Sequence, residues 1–567
     1  VDVPYPIKWI DSHIEALESF LMEALEVLQS LREMHNNANG NCFRASVLKK
    51  DWQVQPLPVN FHMQMVTMRR LSSAGAKMST TVFSGLNPLA EGTPEDHPVA
   101  QSVRSDRLID SLTCGCFTAH AMGFKKGGLE TSQRNLLATK AKLNKLVVQY
   151  HQNVVLKNGF VGSLAPEDSA AVRGRPLKRG LSPTGAEAIM LAQVRDQMIQ
   201  YESNVLLIAK RQLVVMSQIL TVCINALLFK LALVEEGYVQ GSVAEQWVKH
   251  GFPVVFESLL SISGNERGML EDTMVAVEML AGYRFRIRKA SETVINTDNL
   301  KPHQRIRIVD PNSANIDLQG REIILTLSTA SISKLPESIQ IAAEQDTAFI
   351  NPIPVLFTQG LDIQQSIESV MGSSARPESL ARAKQLSSLE LEHFVNARAL
   401  EILNCYCDAV KPLSALEVAE RLSSQENSTQ KQDLFHPWLG RLAEHVRYTG
   451  KAEKNVHMLM EIQRVCHVLG GCKVTFCKSG KDRTGMVITL EQSRIIGERF
   501  GCGDSTERVI KDADLMRLHG PRLQVCTKNI GRAVFSMNKL QAQFLPNLLR
   551  PPRSTMEEMH LFKSDNT

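Results

Sequence analysis

The chain has 567 residues, of which 43% are hydrophobic and 22% charged, and its net charge is +5. That length exceeds one ordinary core, and the composition is that of a soluble globular protein rather than a disordered or fibrous one. So small a net charge excludes a nucleic-acid binder that works by bulk charge, and any anion recognition has to be local.

The opening residues, VDVPYPIKWIDSHIEALE, carry acids early and do not read as a secretory signal, so the 11 cysteines are expected as reduced thiols. Two Cys-x-Cys pairs, Cys114/Cys116 and Cys405/Cys407, lack the spacer and glycine knuckle of zinc sites and read as ordinary buried thiols. Ile10, Ile14, Leu17, Leu21, Leu25, Leu28 and Leu31 share one helical face. Similar patterns over 131–156 and 187–234 predict a bundle of long helices, separated by a Pro- and Gly-containing loop (86–101) and the basic loop RGRPLKRGLSPTG (173–185). The uncharged run 212–229 reaches the lower limit for a membrane-spanning helix. Its stripe of Ser217, Gln218, Thr221 and Asn225 is of no use in lipid, so it reads as a core helix.

Near residue 250 the period changes. YRFRIRK (283–289), QRIRIV (304–309) and REIILTL (321–327) alternate with period two and read as strands. Arg284, Arg286 and Arg288 share one face, which suits a solvated sheet surface, with an anion-facing wall as the alternative. Helices return over 378–424, and the polar stretch 420–433 reads as a loop.

The most informative unit follows. EKNVHMLMEIQRVCHVLGG predicts a helix closed by Gly470 and Gly471, CKVTF (472–476) a buried strand, CKSGKDRT (477–484) a loop, and GMVITLEQSRIIGERFG a further helix. Strand, loop and helix bring backbone amides and a helix N-terminus to one point, which is an anion site. The expected architecture is therefore α/β: a cysteine-phosphatase-like domain with a strand–phosphate loop–helix unit, plus a large α-helical region. The expected division is a mainly helical region at 1–245, a catalytic domain at 246–548 and a tail at 549–567.

Cysteine followed six residues later by arginine marks cysteine-dependent phosphatases, but the pattern occurs three times here. In CGDSTER (502–508) the carboxylates of Asp504 and Glu507 would repel phosphate. CTKNIGR (526–532) follows a plausible strand, RLQV, but has its glycine beside the arginine. In CKSGKDRT, Cys477 stands at the loop base and Gly480 permits the turn that aims amides inward. Arg483 offers a fork for two phosphate oxygens, and Thr484 places a hydroxyl near the sulfur. The helix dipole and nearby cations favour a thiolate, which attacks phosphorus to give a phosphocysteine. None of Trp9, Trp52, Trp247 and Trp438 begins a Trp-Pro-Asp acid loop. Asp482 is therefore the candidate proton donor, a loop-ordering acceptor being its alternative role and Asp310 the reserve. Lys478 and Lys481, with Ser479 between them, suit a substrate carrying more than one phosphate.

CKSGKDRTG and its flanks NVHMLMEIQRVCHVLGGCKVTF and MVITLEQSR resemble the inositol polyphosphate 4-phosphatases, over roughly 450–500. Gly480 and Gly485 are more similar to the type I form than to type II. The loop is also similar to the CKAGKGRTG loop of a three-phosphate lipid phosphatase, except at Asp482, and its DRT ending resembles myotubularin-type enzymes. The family resemblance implies metal-independent removal of the 4-phosphate of phosphatidylinositol 3,4-bisphosphate. Phosphoinositide lipids and inositol polyphosphates would be the substrates, with no cofactor and no nucleic-acid partner. It further implies a cytoplasmic protein recruited to endosomal and plasma membranes, where the membrane surface is a peripheral partner. The family's amino-terminal lipid-binding β-sandwich has no matching strand pattern in 1–60, and the chain departs from the family there. A dual-specificity protein phosphatase and a non-catalytic phosphoinositide-binding helical scaffold are the competing readings.

Overall fold

Runs rich in Val, Ile and Phe make the centre of the principal sheet, as seen in a computed structural model. The residues described are 57–70, 79–85, 104–124, 127–150, 185–262, 264–290, 306–309, 321–361, 388–422, 436–447, 454–500, 505–520, 522–538, 542–543 and 545–557, with single positions 22, 25, 29 and 152. The expected helix at 10–31 lies outside them except for helical Met22, Leu25 and Gln29.

In chain order the sheet strands are β1 (His62–Arg70), β2 (Ser79–Gly85), β3 (Arg104–Gly115), β4 (Phe252–Ser258), β9 (Pro352–Thr358) and β10 (Cys472–Cys477). Their spatial order is β2-β1-β3-β10-β4-β9. β3, β10, β4 and β9 run parallel, whereas β1 is antiparallel to both β2 and β3. A parallel strand buried on both faces needs an unbroken apolar run, and β4, FPVVFES, is buried along its whole length. Polar residues in β10 are paired internally. Lys473 Nζ donates to Glu257 Oε2 at 3.1 Å and to Glu491, while Thr475 Oγ1 donates to Glu257 Oε2 at 2.8 Å.

Helices cover both faces. The long helices are α1 (Leu129–Tyr150) and α2 (Gly185–Glu235), followed by α3 (Gly241–His250) and α4 (Gly264–Leu280). Val254, Phe256, Val474 and Phe476 pack with Val215, Ile219, Cys223 and Leu227 of α2 on one face. The alternate residues Val255, Val355 and Phe357 pack on the other, against α7 (Ser388–Leu422), α8 (His436–Arg447) and α9 (Val456–Val468). α2 is long and apolar enough to cross a membrane. Its polar stripe nevertheless serves the protein interior: Gln218 Oε1 accepts from Thr118 N at 2.9 Å, and Thr221 and Asn225 bond back to the helix carbonyls.

The second sheet, ordered β6-β7-β5-β8, holds the arginine strand β5 (Tyr283–Lys289) with β6 (Ile306–Val309), β7 (Arg321–Leu327) and β8 (Ala348–Ile350). Two short helices, α5 (Thr329–Ile332) and α6 (Glu337–Glu344), lie between β7 and β8 in sequence. Arg284 pairs with Glu322 at 3.0 Å and Arg286 with Asp346 at 2.8 Å, both stacked on Phe349. This is a solvated, ion-paired face.

Three expectations need correction. The mainly helical region before 245 also holds β1–β3, and β3 pairs with β10, so an edge at 245 would cut through one sheet. The alternation was hidden because Asp106, Arg107 and Asp110 interrupt the apolar residues of β3. RLQV is no strand but the start of a helix, Arg522–Ile530 (α12), preceded by α11 (Thr506–His519). The folded unit also runs past 548: β12 (Met556–Glu557) pairs with β11 (Phe535–Asn538).

Candidate active site

Cys477 ends β10, in register with Gly115 of β3, while Phe476 pairs with Ser258 of β4. The strand thus delivers the thiol to the C-terminal edge of the parallel sheet, where α/β proteins place their ligands. Cys477 is buried, Lys478 exposed and Ser479 half-buried. The chain then turns into α10 (Asp482–Phe500). Gly480 makes the turn with φ +64°, and a Cβ there would stand 2.4 Å from the Cys114 carbonyl carbon. Only glycine fits on both counts.

Arg483 lies in the first turn of α10. Its Nη1 and Nη2 each donate to Glu266 at 2.7 Å, and Nη1 also donates to Leu259 O at 2.9 Å. Glu266 comes from the first turn of α4 and also accepts from Ser261 N at 2.7 Å. Burial alone would raise its pKa, but the hydrogen bonds and charge of Arg483, the Ser261 amide and Lys478 hold it below the ordinary carboxylate value. A carboxylate thus fixes the rotation of the guanidinium.

Asp482 has both oxygens engaged. Oδ1 accepts from Ser536 N at 3.2 Å and lies 3.7 Å from Cys526 Sγ, and Oδ2 pairs with Lys481 at 3.2 Å. Lys481 also donates to Ser536 Oγ and is buried. The sequence placed Lys481 on the rim beside Lys478. The α10 turn instead directs it inward against β11, leaving Lys478 as the exposed lysine of the loop. Thr484 is buried, and its Oγ1 has no hydrogen-bond partner among the described residues. Asp310 lies outside the described residues.

The loop's outer side is held by residues to which the sequence assigned no role in the site. Asn60 Nδ2 donates to Ser479 O at 2.7 Å, Lys528 Nζ donates to Asn60 Oδ1 at 3.2 Å, and Cys116 Sγ donates to Lys478 O at 3.4 Å. Arg522, wholly buried, donates to Gly480 O and, at 3.2 Å, to Thr113 Oγ1, and burial lowers its pKa. Burial first, and then Cys477, pushes the Cys114 and Cys116 thiols well above their usual value. Cys526, from one of the decoy motifs, packs behind the loop, where burial and then Asp482 push its thiol up to about 12. Among the described residues no group of three or more His, Cys, Asp and Glu is placed to hold a metal ion.

A family model described as INPP4A C-terminal domain matches residues 184–549. Human inositol polyphosphate 4-phosphatase type II is 25% identical over 352 residues, covering 62% of this chain and 33% of that protein. Rat type II inositol 3,4-bisphosphate 4-phosphatase is likewise 25% identical, over 62% of this chain and 32% of its own length. The mouse phosphatidylinositol 3,4,5-trisphosphate-dependent Rac exchanger 1 protein is 24% identical over 50% of this chain and 16% of its own. The chain therefore spans about a third of the length of the phosphatases it matches.

Proposed function

The chain belongs to the inositol polyphosphate 4-phosphatase family, and from that premise we propose that it is a cysteine-dependent phosphoinositide phosphatase. The proposed reaction removes the 4-phosphate of phosphatidylinositol 3,4-bisphosphate and of related inositol polyphosphates. The observation that carries this reading is Cys477 at the base of a glycine-turned loop whose arginine is held by a half-buried carboxylate.

In the first step the Cys477 thiolate forms a bond to phosphorus as the ester P–O bond breaks. Arg483, its guanidinium oriented by Glu266 and the Leu259 carbonyl, binds the transferring phosphoryl group. Asp482 gives its proton to the leaving inositol oxygen, then takes one from the water that cleaves the phosphocysteine. Lys478 meets a second phosphate, and Lys481 acts by fixing Asp482. A cytoplasmic protein recruited to endosomal and plasma membranes is the setting that the family resemblance supports.

Two observations favour second readings. Both oxygens of Asp482 are engaged by the protein, which supports a loop-ordering role. The match to a Rac exchanger, whose name carries no phosphatase, favours a site that binds without turnover. Phosphate release from soluble inositol phosphates, phosphoinositides and an activated aryl phosphate decides among them. Wild type should turn over without added metal, and Cys477→Ser should abolish turnover while retaining binding. Asp482→Asn should cost about 10²–10⁴-fold on inositol substrates and far less on the aryl ester, whose leaving group needs no proton. Equal losses on both would assign Asp482 to loop order, and binding without release by wild type would sink the enzyme reading.

A further inference from the structure

α1 and α2 form a hairpin that leaves the molecule on the side of the phosphate loop. Just past β3, Thr118 N donates to Gln218 Oε1 at 2.9 Å, and Gly123 O accepts from Arg211 Nη2 at 2.6 Å. α2 thus passes the C-terminal edge of the sheet at residues 211–218. From there it descends through the core toward α3 and the start of β4. The run from Gly185 to Lys210 lies beyond that edge, about 39 Å of helix at ~1.5 Å per residue. α1 starts at the edge, where Leu129 N donates to Asp272 Oδ1 at 2.8 Å, and packs on α2. Leu129 is its one buried residue among those described, so α1 runs outward rather than down into the core.

The outer part of this hairpin exposes apolar side chains: Leu137 is 68% exposed, Val148 53% and Ile189 61%. Single exposed apolar residues need no explanation, but a group on one projecting element does. Lys140, Lys142 and Lys145 stand exposed among them. From Leu137 to Tyr150, α1 carries these three lysines and no Asp or Glu.

We infer that the α1–α2 hairpin is the surface by which the protein docks on an anionic lipid bilayer, tethering the catalytic face to the membrane that carries its substrate. The combination is that of interfacial helices, in which apolar side chains enter the headgroup boundary while lysines meet anionic lipid. Interleaved lysines make the hairpin lie in the interface rather than cross it. The inference rests on the phosphoinositide reading for its biological sense, but lipid binding is measured without substrate.

The test is sedimentation of the full chain with phosphatidylcholine vesicles, with and without phosphatidylserine. Wild type should bind the anionic vesicles, and less so at high salt. Val148→Asp with Ile189→Asp, both at exposed positions, should weaken binding at least about tenfold, as expected when two apolar side chains no longer enter the interface. Lys140→Gln, Lys142→Gln and Lys145→Gln together should remove the preference for phosphatidylserine. Turnover of a soluble inositol phosphate should be unchanged in both variants. Wild type that ignores anionic vesicles, or variants that bind them as wild type does, would overturn the proposal. So would a self-association lost in the variants while vesicle binding persists, since the face would then meet a second copy. Absence of soluble turnover in wild type would defeat the phosphatase reading and leave the vesicle result standing.

Discussion

Glu266 shows how much a single residue can hold in place. Its two bonds to Arg483 fix a guanidinium that in the proposed reaction meets phosphate in one orientation, where a misplacement of about 1 Å costs on the order of 10²-fold. Glu266→Gln should therefore lower kcat/KM by about that factor, read on a soluble inositol phosphate, while Cys477 still reacts with an alkylating probe. His62 gives a prediction about pH. Burial, then Arg522 and Lys528, pushes its pKa down to about 3, whereas an unfolded histidine titrates near ~6.5. Below that value the unfolded chain binds a proton that the folded chain refuses, so stability falls as pH drops from ~6.5 toward ~3. Denaturant unfolding across that range should show the loss, and His62→Gln should flatten its slope. Cys477, Arg483 and Thr484 could be singled out in the sequence because they fall within eight consecutive residues. Glu266 was not, being 217 residues from its arginine. Lys481 was misread because a string of cations carries no record of which one the turn buries.

At the level of elements, the two glycines of the loop region should part company. Gly480→Ala puts a Cβ against backbone at positive φ, and should cost roughly 1–3 kcal/mol together with most of the activity. Gly485 sits within α10, where a Cβ would meet Phe535 at an ordinary 3.4 Å. Gly485→Ala should be neutral, or stabilise by up to about 1 kcal/mol. Thermal melts and turnover of the two variants side by side check this, and equal damage would refute the geometry. α1, α2 and α10 were legible as elements because their apolar periods are long. β3 was not: its buried Thr113 is made compatible with the interior by Gln64 and Arg522, far away in sequence.

For the whole molecule, the family match begins at residue 184, yet β3, the strand beside β10, ends at Gly115. A fragment of 184–549 would leave β10 with a bare edge and remove Asn60, Thr113 and Cys114 from around the loop. Bare edges of apolar strands invite aggregation. The fragment should be insoluble or inactive, as expression and turnover would show, and an active, soluble fragment would mean that β3 is dispensable. The boundary near 245 was unreadable for the same reason: pairing between distant strands leaves no mark in local composition.

The insertion of β10 between β3 and β4 also fixes an order of events during synthesis. The contacts across β3 and β10 join residues 362 apart, so β3 emerges from the ribosome long before its neighbour exists. At about 5–20 residues per second, the wait is about 20–70 s. During it β3 and β4 each present an unsatisfied edge, and direct pairing between them would be a trap that the central strand must later undo. β10 is thus the last strand of its sheet to be synthesised, and the loop that follows it has its neighbours only once that strand is in place.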